Sequence, residues 1–225
     1  MSGNSVGIMP SSGSLALARR ASQLETLRPR LLREPPVLPL KATRGDFDLD
    51  PNRPPPEPQP LSPAAVLVPI VARAEPTVLL TQRTQHLSRH AGQVSFPGGR
   101  ANETDISLVQ TALRETQEET GIEPSFVSIA GFLDAFETGT GYAILPVVGL
   151  LEEGFSLKPD ANEVAHVFEV PLWFLIDPKN RVPQTREFNG RTRHFYSFFY
   201  EGRQIWGATA AMLVSFAERL HGGEA

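Results

Sequence analysis

Three glutamates spaced for one face of a helix are the feature that most constrains this chain. Glu115, Glu118 and Glu119 stand at positions i, i+3 and i+4, and side chains with that spacing lie on the same side of an α-helix. Like charges this close repel by roughly a few tenths of a kcal/mol per pair on an exposed helix. A divalent cation over the face would turn the repulsion into coordination, and carboxylates suit Mg²⁺ or Mn²⁺ because both ions prefer oxygen ligands.

The same acidic face also fits an ordinary solvated helix, in which Arg114 and Glu118 form an i,i+4 ion pair. Its surroundings favour the metal interpretation. The sequence Pro97-Gly98-Gly99 predicts a turn just before the helix, and Gly121 is placed to cap its C-terminus. A glycine turn lets backbone carbonyls approach a metal that the helical carboxylates hold.

A segment that starts at Gly99 resembles the Nudix box, whose pattern is G-x5-E-x7-R-E-U-x-E-E-x-G-U with U an aliphatic residue. The letters RETQEETGI match its second half, with Thr116 at a usually aliphatic position. Counting forward from Gly99 places Asp105 where the pattern has its first glutamate, whereas counting back from Arg114 places Ile106 there. The connecting loop is therefore one residue longer than the general pattern, and the role of Asp105 stays open.

The preceding letters, LLTQRTQHLSRHAGQVSFPGG, narrow the family further. They resemble the signature of the coenzyme A pyrophosphatase branch of Nudix hydrolases, roughly LLTxR(S/T)xxLxxHxGxxxFPGG, and a lengthened box loop is usual in that branch. The resemblance implies an α/β/α sandwich with a mixed β-sheet. It also implies a metal-dependent hydrolase that cleaves coenzyme A or acyl-coenzyme A to 3′,5′-ADP and 4′-phosphopantetheine or its acyl form.

The resemblance assigns the metal ligands and part of the catalytic set. Glu115, Glu118 and Glu119 are implied as ligands of Mg²⁺ or Mn²⁺, and the carbonyl of Gly99 is a further candidate ligand. Glu118 and Glu119 also belong to the candidate catalytic residues. Arg114 completes that set, because its guanidinium can hold a neighbouring carboxylate through two hydrogen bonds and so orient it.

The general base is harder to assign from the sequence. Nudix enzymes often take it either from the box or from a later loop. Glu163 is the loop candidate because it stands just before a predicted strand. A surface glutamate at the start of a strand is the alternative, and the sequence leaves both open.

Candidate contacts to substrate phosphates precede the box. Arg83 and Arg89 can present the planar fork of donors that matches phosphate oxygens, and Gly98 and Gly99 are predicted to line the same site. His90 belongs to the same signature, but no nucleophile or base accompanies it, so a structural histidine is the favoured interpretation.

Composition excludes several classes of protein. The 225 residues carry a net charge of -4, which gives no basic field for nucleic acid, and contain no cysteine for disulfides or thiolate metal sites. No apolar run reaches the length of a membrane span. We therefore predict a protein without nucleic-acid or membrane partners in the cytoplasm, or in the mitochondrial matrix if its Arg- and Ser-rich start is a transit peptide.

The chain is predicted to have three parts. Residues 1–13 form a disordered start, residues 14–62 an N-terminal helix and a proline-rich linker, and residues 63–221 the hydrolase domain. The helix, over residues 15–32, is expected to pack on the domain and could contribute to a homodimer contact. In the domain, strands are predicted at 64–71, 77–81, 93–96, 126–136, 143–151, 164–170, 194–200 and 204–206, and helices at 106–120, 171–176 and 208–220.

Two other functions remain as alternatives. One is a Nudix enzyme for another nucleoside diphosphate derivative. The other is a binding module that keeps the fold and the nucleotide affinity without turnover. The presence of all three helix glutamates argues against the second, because binding alone does not require them.

Overall fold

The computed structural model describes residues 26–36, 40–45, 60–87, 90–188 and 191–222. Within these residues the strands form one nine-stranded sheet and one three-stranded sheet. The nine-stranded sheet holds β1 (Arg44–Gly45), β2 (Ser62–Val71), β3 (Thr77–Arg83), β4 (Val94–Ser95), β5 (Gly98–Arg100), β6 (Val127–Phe132), β7 (Phe136–Glu137), β8 (Tyr142–Leu151) and β9 (Val164–Pro171). The smaller sheet holds β10 (Val182–Phe188), β11 (Arg191–Tyr200) and β12 (Arg203–Trp206), and the helices are α1 (Leu108–Thr120), α2 (Leu172–Ile176) and α3 (Gly207–Leu220).

The large sheet is mixed, as predicted. Its main path runs β1-β7-β8-β2-β3-β4, with β5 beside β2, β6 beside β8 and β9 beside β3. Strands β2 and β8 are parallel and stay in register from Ser62 opposite Tyr142 to Val71 opposite Leu151. The short pair β1–β7 is also parallel, whereas β2–β3, β3–β9 and β6–β8 are antiparallel.

Helices cover both faces of this sheet, because side chains along β2 alternate between two apolar layers. Leu67 packs with Leu108 and Ala112 of α1 on one face. Ile70 packs with Phe216 of α3 on the other face. The arrangement confirms the predicted α/β/α sandwich.

The N-terminal segment belongs to the domain rather than to a free linker. Leu27 and Leu31 are buried in the layer under α3, and Leu40 is buried in the layer under α1. Strand β1 lies in the part of residues 14–62 that is predicted to be a proline-rich linker, and it pairs with β7. The many prolines in this part of the sequence indicated an extended linker, so its buried apolar residues and its strand pairing were not predicted. Of the predicted helix over 15–32, residues 15–25 lie outside the described residues, and a 3-10 turn at Arg28–Arg30 follows them.

Two other predictions need correction, and one strand was not predicted. The sequence Pro97-Gly98-Gly99 is not a turn before the helix, because Gly98–Arg100 forms β5, antiparallel to β2. The strand predicted over 126–136 is divided into β6 and β7, with Ala135 between them accepting hydrogen bonds from the amides of Thr43 and Arg44. Strand β10 was not predicted, because its letters PQTREF are largely polar; it pairs with β11 along its length. No helix in the described ranges has the length and hydropathy needed to cross a membrane.

Candidate active site

The glutamate helix begins and ends where its sequence predicts. The hydroxyl of Ser107 accepts a hydrogen bond from the amide of Gln110 at 3.2 Å, which caps the N-terminus of α1. Gly121 has a φ of 78°, the left-handed conformation that glycine adopts at low cost, and its amide donates to the carbonyl of Gln117 at 2.8 Å. Thr116 is buried, and its hydroxyl donates to the carbonyl of Ala112 at 2.7 Å, so a polar residue is accommodated at a usually aliphatic box position.

Arg114 organises the acidic residues at the outer face of α1. Its Nη1 donates to Glu115 Oε1 and to Glu118 Oε2, both at 2.9 Å. Its Nε and Nη2 donate to the two oxygens of Asp105 at 3.0 and 2.9 Å. The guanidinium therefore orients both glutamates, while the carboxylate of Asp105 fixes the guanidinium through two hydrogen bonds.

Asp105, whose role the sequence left open, anchors this network. Its Oδ2 also accepts from the amide of Asn102 and the hydroxyl of Thr111, both at 2.9 Å. The hydrogen bonds from Arg114 hold the pKa of the Asp105 carboxyl well below its ordinary value. The signal was present in the sequence, since counting forward from Gly99 puts Asp105 in the box register.

The glycines before α1 permit close backbone approach. A Cβ on Gly98 would stand 2.4 Å from the carbonyl oxygen of Ala65, and Gly98 has a φ of 153°. A Cβ on Gly99 would stand 2.5 Å from the carboxyl carbon of Glu115. Because the contact at Gly98 is to the backbone of β2, β5 can lie against β2 only with glycine at that position, whereas a Cβ on Gly99 would require the Glu115 side chain to move.

Glu119 differs from the other two glutamates because it is buried, with only 4% of the residue exposed. The alternative that the sequence left open, an ordinary solvated helix face, therefore does not hold for Glu119. Its Oε2 accepts one long hydrogen bond, 3.3 Å, from the amide of Gly98, and its Oε1 lies 3.6 Å from Nη1 of Arg83. Burial raises its pKa to about 8, and the nearby charges of Glu115 and Glu163 act in the same direction.

Glu115 shares part of this environment. Burial raises the pKa of its carboxyl as well, although the Arg114 hydrogen bond acts in the opposite direction. Glu118 is the most exposed of the three, with 58% of its side chain accessible. The helix thus presents a gradient from a solvated carboxylate to a buried one.

The predicted base and one predicted phosphate ligand lie at the same site. Nη2 of Arg83 lies 3.7 Å from Oε2 of Glu163, and its Nη1 faces Glu119. The side chain of Glu163 is about half exposed, so it borders the solvent side of the cluster. Of the other predicted contacts, Arg89 lies outside the described residues. His90 is exposed, and its Nδ1 is 2.8 Å from Oε1 of the Gln93 side chain.

The donor set fits a divalent cation in its chemistry. Carboxylates of Glu115 and Glu119 lie close enough for the charge of one to raise the pKa of the other, and a cation between them would remove that repulsion. As they stand, no three Asp, Glu or His side chains in the described part of the chain converge as ligands of one ion. Glu115 and Glu118 instead turn toward Arg114, and Arg83 provides the positive charge beside Glu119.

Comparison with known proteins agrees with this geometry. The family model described as NUDIX domain matches residues 61–197. A protein of Yersinia enterocolitica called uncharacterized Nudix hydrolase NudL is 41% identical over 158 residues, which cover 70% of this chain and 81% of that protein. A protein of the same description from Yersinia pestis is 41% identical over 157 residues, covering 70% and 79% of the two chains.

Solved structures of lower identity were also matched. A Caenorhabditis elegans Ap4A hydrolase in a binary complex is 20% identical with a TM-score of 0.43, over 49% of this chain and 80% of that one. The NUDIX domain of Shewanella oneidensis NrtR, complexed with ADP ribose, is 23% identical with a TM-score of 0.40, over 54% and 80%.

Proposed function

The chain belongs to the Nudix family of hydrolases, which act on phosphorus anhydrides, and from that premise we propose that it cleaves the diphosphate of coenzyme A or an acyl-coenzyme A. The products would be 3′,5′-ADP and 4′-phosphopantetheine or its acyl form. The observation that carries the hydrolytic part is the buried carboxylate of Glu119 beside Glu115 and the glycine strand. The coenzyme A part rests on the resemblance of residues 79–99 to the signature of that branch.

The residues of the chain divide the work of hydrolysis among them. A diphosphate resists water because the attacking oxygen must approach clustered negative charge. Mg²⁺ or Mn²⁺ held by Glu115, Glu118, Glu119 and the Gly99 carbonyl would supply charge neutralisation and a more acidic water. Arg114 keeps two of the carboxylates in place through hydrogen bonds of 2.9 Å.

Glu163 is proposed as the general base. Its carboxylate, at the solvent side of the cluster, would accept a proton from the attacking water as the new P–O bond forms. The P–O bond from the attacked phosphorus to the bridging oxygen breaks, and that oxygen leaves with the bonding electron pair as part of the departing phosphate. Positioning and charge neutralisation account for most of such a reaction, so the fixed geometry around α1 matters more than any covalent step.

Arg83 is proposed to bind the diphosphate itself rather than the distal 3′-phosphate. Its guanidinium lies within 3.7 Å of both Glu119 and Glu163, at the centre of the cluster where the scissile group must lie. Binding of a cation to Glu119 would free this guanidinium for phosphate oxygens, which its fork of donors matches.

The decisive experiment is a product-release panel on the full chain with Mg²⁺ and with Mn²⁺. Coenzyme A, an acyl-coenzyme A, ADP-ribose, NADH and nucleoside triphosphates are the substrates. We expect 3′,5′-ADP from the first two at the highest kcat/KM. Efficient cleavage of ADP-ribose or a triphosphate without cleavage of coenzyme A would overturn the substrate class and leave the family assignment intact.

The Arg83→Ala variant tests the phosphate contact. Loss of a charge-assisted hydrogen bond, about 1.5–3 kcal/mol, should lower kcat/KM roughly ten- to a hundredfold, chiefly through KM. Because the proposed contact is to the diphosphate, the loss should be equal on coenzyme A and dephospho-coenzyme A. Arg83→Lys, which keeps the charge without the fork, is the matched control and should lose less. A loss confined to coenzyme A would instead place Arg83 against the 3′-phosphate.

A further inference from the structure

The loop that carries Glu163 is tied to the end of β3 by a residue with no role assigned so far. We propose that Thr84 is a positioning residue, which holds the Glu163 loop against the glutamate cluster and so keeps the base in register with the attacked phosphate. The inference rests on the proposed function. It concerns a residue that touches neither metal nor substrate and acts through Glu163.

Thr84 makes two hydrogen bonds to consecutive carbonyls of this loop. Its amide donates to the carbonyl of Glu163 at 2.9 Å, and its hydroxyl donates to the carbonyl of Asn162 at 3.1 Å. Thr84 is 6% exposed, so the hydroxyl is shielded from water. A buried hydrogen bond of this kind is not readily replaced by solvent, because the freed carbonyl would lose its partner.

A second side chain converges on the same carbonyl. Nε2 of His86 lies 3.1 Å from the carbonyl oxygen of Asn162 and 3.4 Å from the hydroxyl of Thr84. His86 is exposed, so its contribution is expected to be smaller than that of Thr84. The carbonyl of Asn162 thus has two hydrogen-bond partners, Thr84 and His86, within three positions after Arg83.

The other end of the loop is tied to the glutamate helix. The amide of Lys158 donates to the carbonyl of Thr120 at 2.8 Å, and the amide of Asp160 donates to the carbonyl of Glu119 at 3.2 Å. Oδ1 of Asp160 then accepts from the amide and the side chain of Asn162, both at 2.9 Å. These bonds use the free carbonyls at the end of α1 to fix the direction in which the loop leaves the helix.

The loop therefore spans from the helix with the metal-ligand candidates to the strand with the phosphate-ligand candidate. Glu163 lies at the second attachment, directly beside the carbonyl that Thr84 holds. A small displacement of a base relative to its target can cost a large factor in rate without changing substrate affinity. Thr84 contacts the loop through its backbone amide and its hydroxyl. A side-chain substitution removes the hydroxyl's hydrogen bond to Asn162 and leaves the amide's bond to Glu163 in place.

The test compares three single variants of the full chain. Thr84→Val removes the hydroxyl at nearly constant shape and should lower kcat about five- to tenfold with KM unchanged. Thr84→Ser restores the hydroxyl and should recover most of kcat. Thr81→Val is the matched control: Thr81 lies in β3, three residues before Thr84, is 1% exposed, and its hydroxyl donates to the carbonyl of Ser95 at 3.3 Å, away from the Glu163 loop. It should lose stability as Thr84→Val does and keep its kcat.

The double variant Thr84→Val/Glu163→Gln separates positioning from a general structural role. If Thr84 acts through Glu163, the double variant should have the same kcat as Glu163→Gln alone, because the misplaced group is already inactive. Amide hydrogen exchange at Glu163 and Val164 should also be faster in Thr84→Val than in Thr81→Val. Their amides donate to the carbonyl of Asp160 within the loop.

Three results would overturn the proposal. They are a parent-like kcat for Thr84→Val, a fully additive loss in the double variant, and a Glu163→Gln variant as active as the parent. Each of them leaves the hydrolase active, so the proposed reaction and substrate class stand; the third result also removes Glu163 as the general base. A parent chain that cleaves no diphosphate in the panel removes the proposed function and the positioning role together.

Discussion

Asp105 and Glu119 are both almost completely buried carboxylates, with 3% and 5% of their side chains exposed; Asp105 lies in the loop just before the N-terminus of α1, and Glu119 lies in its last turn. Asp105 accepts hydrogen bonds from Arg114, Thr111 and Asn102. From the described residues, Glu119 accepts a single long bond, from Gly98, and has an ion pair to Arg83 of 3.6 Å. Their pKa values accordingly move in opposite directions, below the ordinary value for Asp105 and to about 8 for Glu119.

The difference separates a structural carboxylate from one prepared for a ligand. A buried charge whose oxygens are all used holds the protein together, because its partners would be left unpaired without it. A buried charge with few partners is unfavourable in the protein alone and gains most from a cation. Burial by itself therefore does not reveal the role of an acidic residue; the number and geometry of its donors does.

The largest expected effect is a loss of catalysis on substitution of Glu119, the carboxylate with few hydrogen-bond donors from the described residues. Glu119→Gln should lower turnover by about a hundredfold or more, because an amide keeps the shape but is a poor ligand for Mg²⁺ or Mn²⁺. The measurement is kcat/KM on the best substrate of the panel at saturating metal. Glu123→Gln, the same substitution at an exposed position three residues past the end of the helix, should match the parent. Parent-like turnover by Glu119→Gln would show that Glu119 holds no metal.

The pH dependence of stability should show the unfavourable burial of Glu119 directly. Its folded pKa of about 8 lies above its unfolded value near 4.3, so the folded protein binds more protons between these values and loses stability as pH rises. Glu119→Gln lacks this loss. Relative to the metal-free parent, the variant should gain on the order of 3 kcal/mol between pH 5 and pH 8 in urea denaturation with EDTA present. If the difference in free energy of unfolding between the variant and the parent were constant across that range, burial would not raise the pKa of Glu119.

At the well-bonded end, substitution should affect folding stability. Asp105→Asn keeps the volume but turns an amide toward Arg114, and we expect the free energy of unfolding at pH 7 to fall by about 2 kcal/mol. The pH dependence of stability has the opposite sign to that of Glu119. The stabilisation from Asp105 is present above the ordinary pKa of an aspartate and is lost as the pH falls toward the lowered pKa of Asp105. Urea denaturation measures the loss. Glu103→Gln, exposed in the same loop, is the control, and equal stability of the two variants would contradict the assigned anchor.

The smallest expected effect tests whether the N-terminal end of α1 affects stability alone and leaves catalysis at the Glu119 end unchanged. Ser107→Ala removes the N-cap hydroxyl next to the Asp105 loop and should lower the free energy of unfolding by about 1 kcal/mol. Because the cap lies at the opposite end of α1 from Glu119, kcat should stay at the parent value. Thr104→Ala, at an exposed position of the same loop, should change neither quantity. A fall in kcat without further loss of stability would show that the two ends of the helix are coupled.

Local signals predicted the helix and its charges well. The cap at Ser107 lies one residue after the predicted start at Ile106, and Gly121 ends the helix as expected, because both signals act within one turn. The side chain of Arg114 does hold carboxylates, as the resemblance implied. That Glu119 is buried could not be predicted from the helix, because its burial depends on β5, which approaches through Gly98.

The elements that the sequence did not predict depend on contacts between residues that are far apart in the chain. Strand β10 is polar and is stabilised by its pairing with β11, so its own letters carry no strand signal. Residues 40–45 lie in the proline-rich part of the sequence. Leu40 is nevertheless buried, and β1 pairs with β7, a strand more than ninety positions later in the chain. Contacts between distant residues decided these elements. The metal ligation, the role of Glu163, the homodimer contact and the cellular location stay predictions.

The ten paired residues of β2 and β8 have a consequence for the order in which the protein forms. Each pair joins positions about eighty residues apart, and the whole glutamate helix lies within the segment that this pairing closes. Closing so long a segment costs chain entropy before the contacts repay it, and parallel pairing of distant strands is a slow step in folding. During synthesis, α1 leaves the ribosome before the strand that completes the sheet beneath it. The acidic face is therefore assembled late, once β8 has been made.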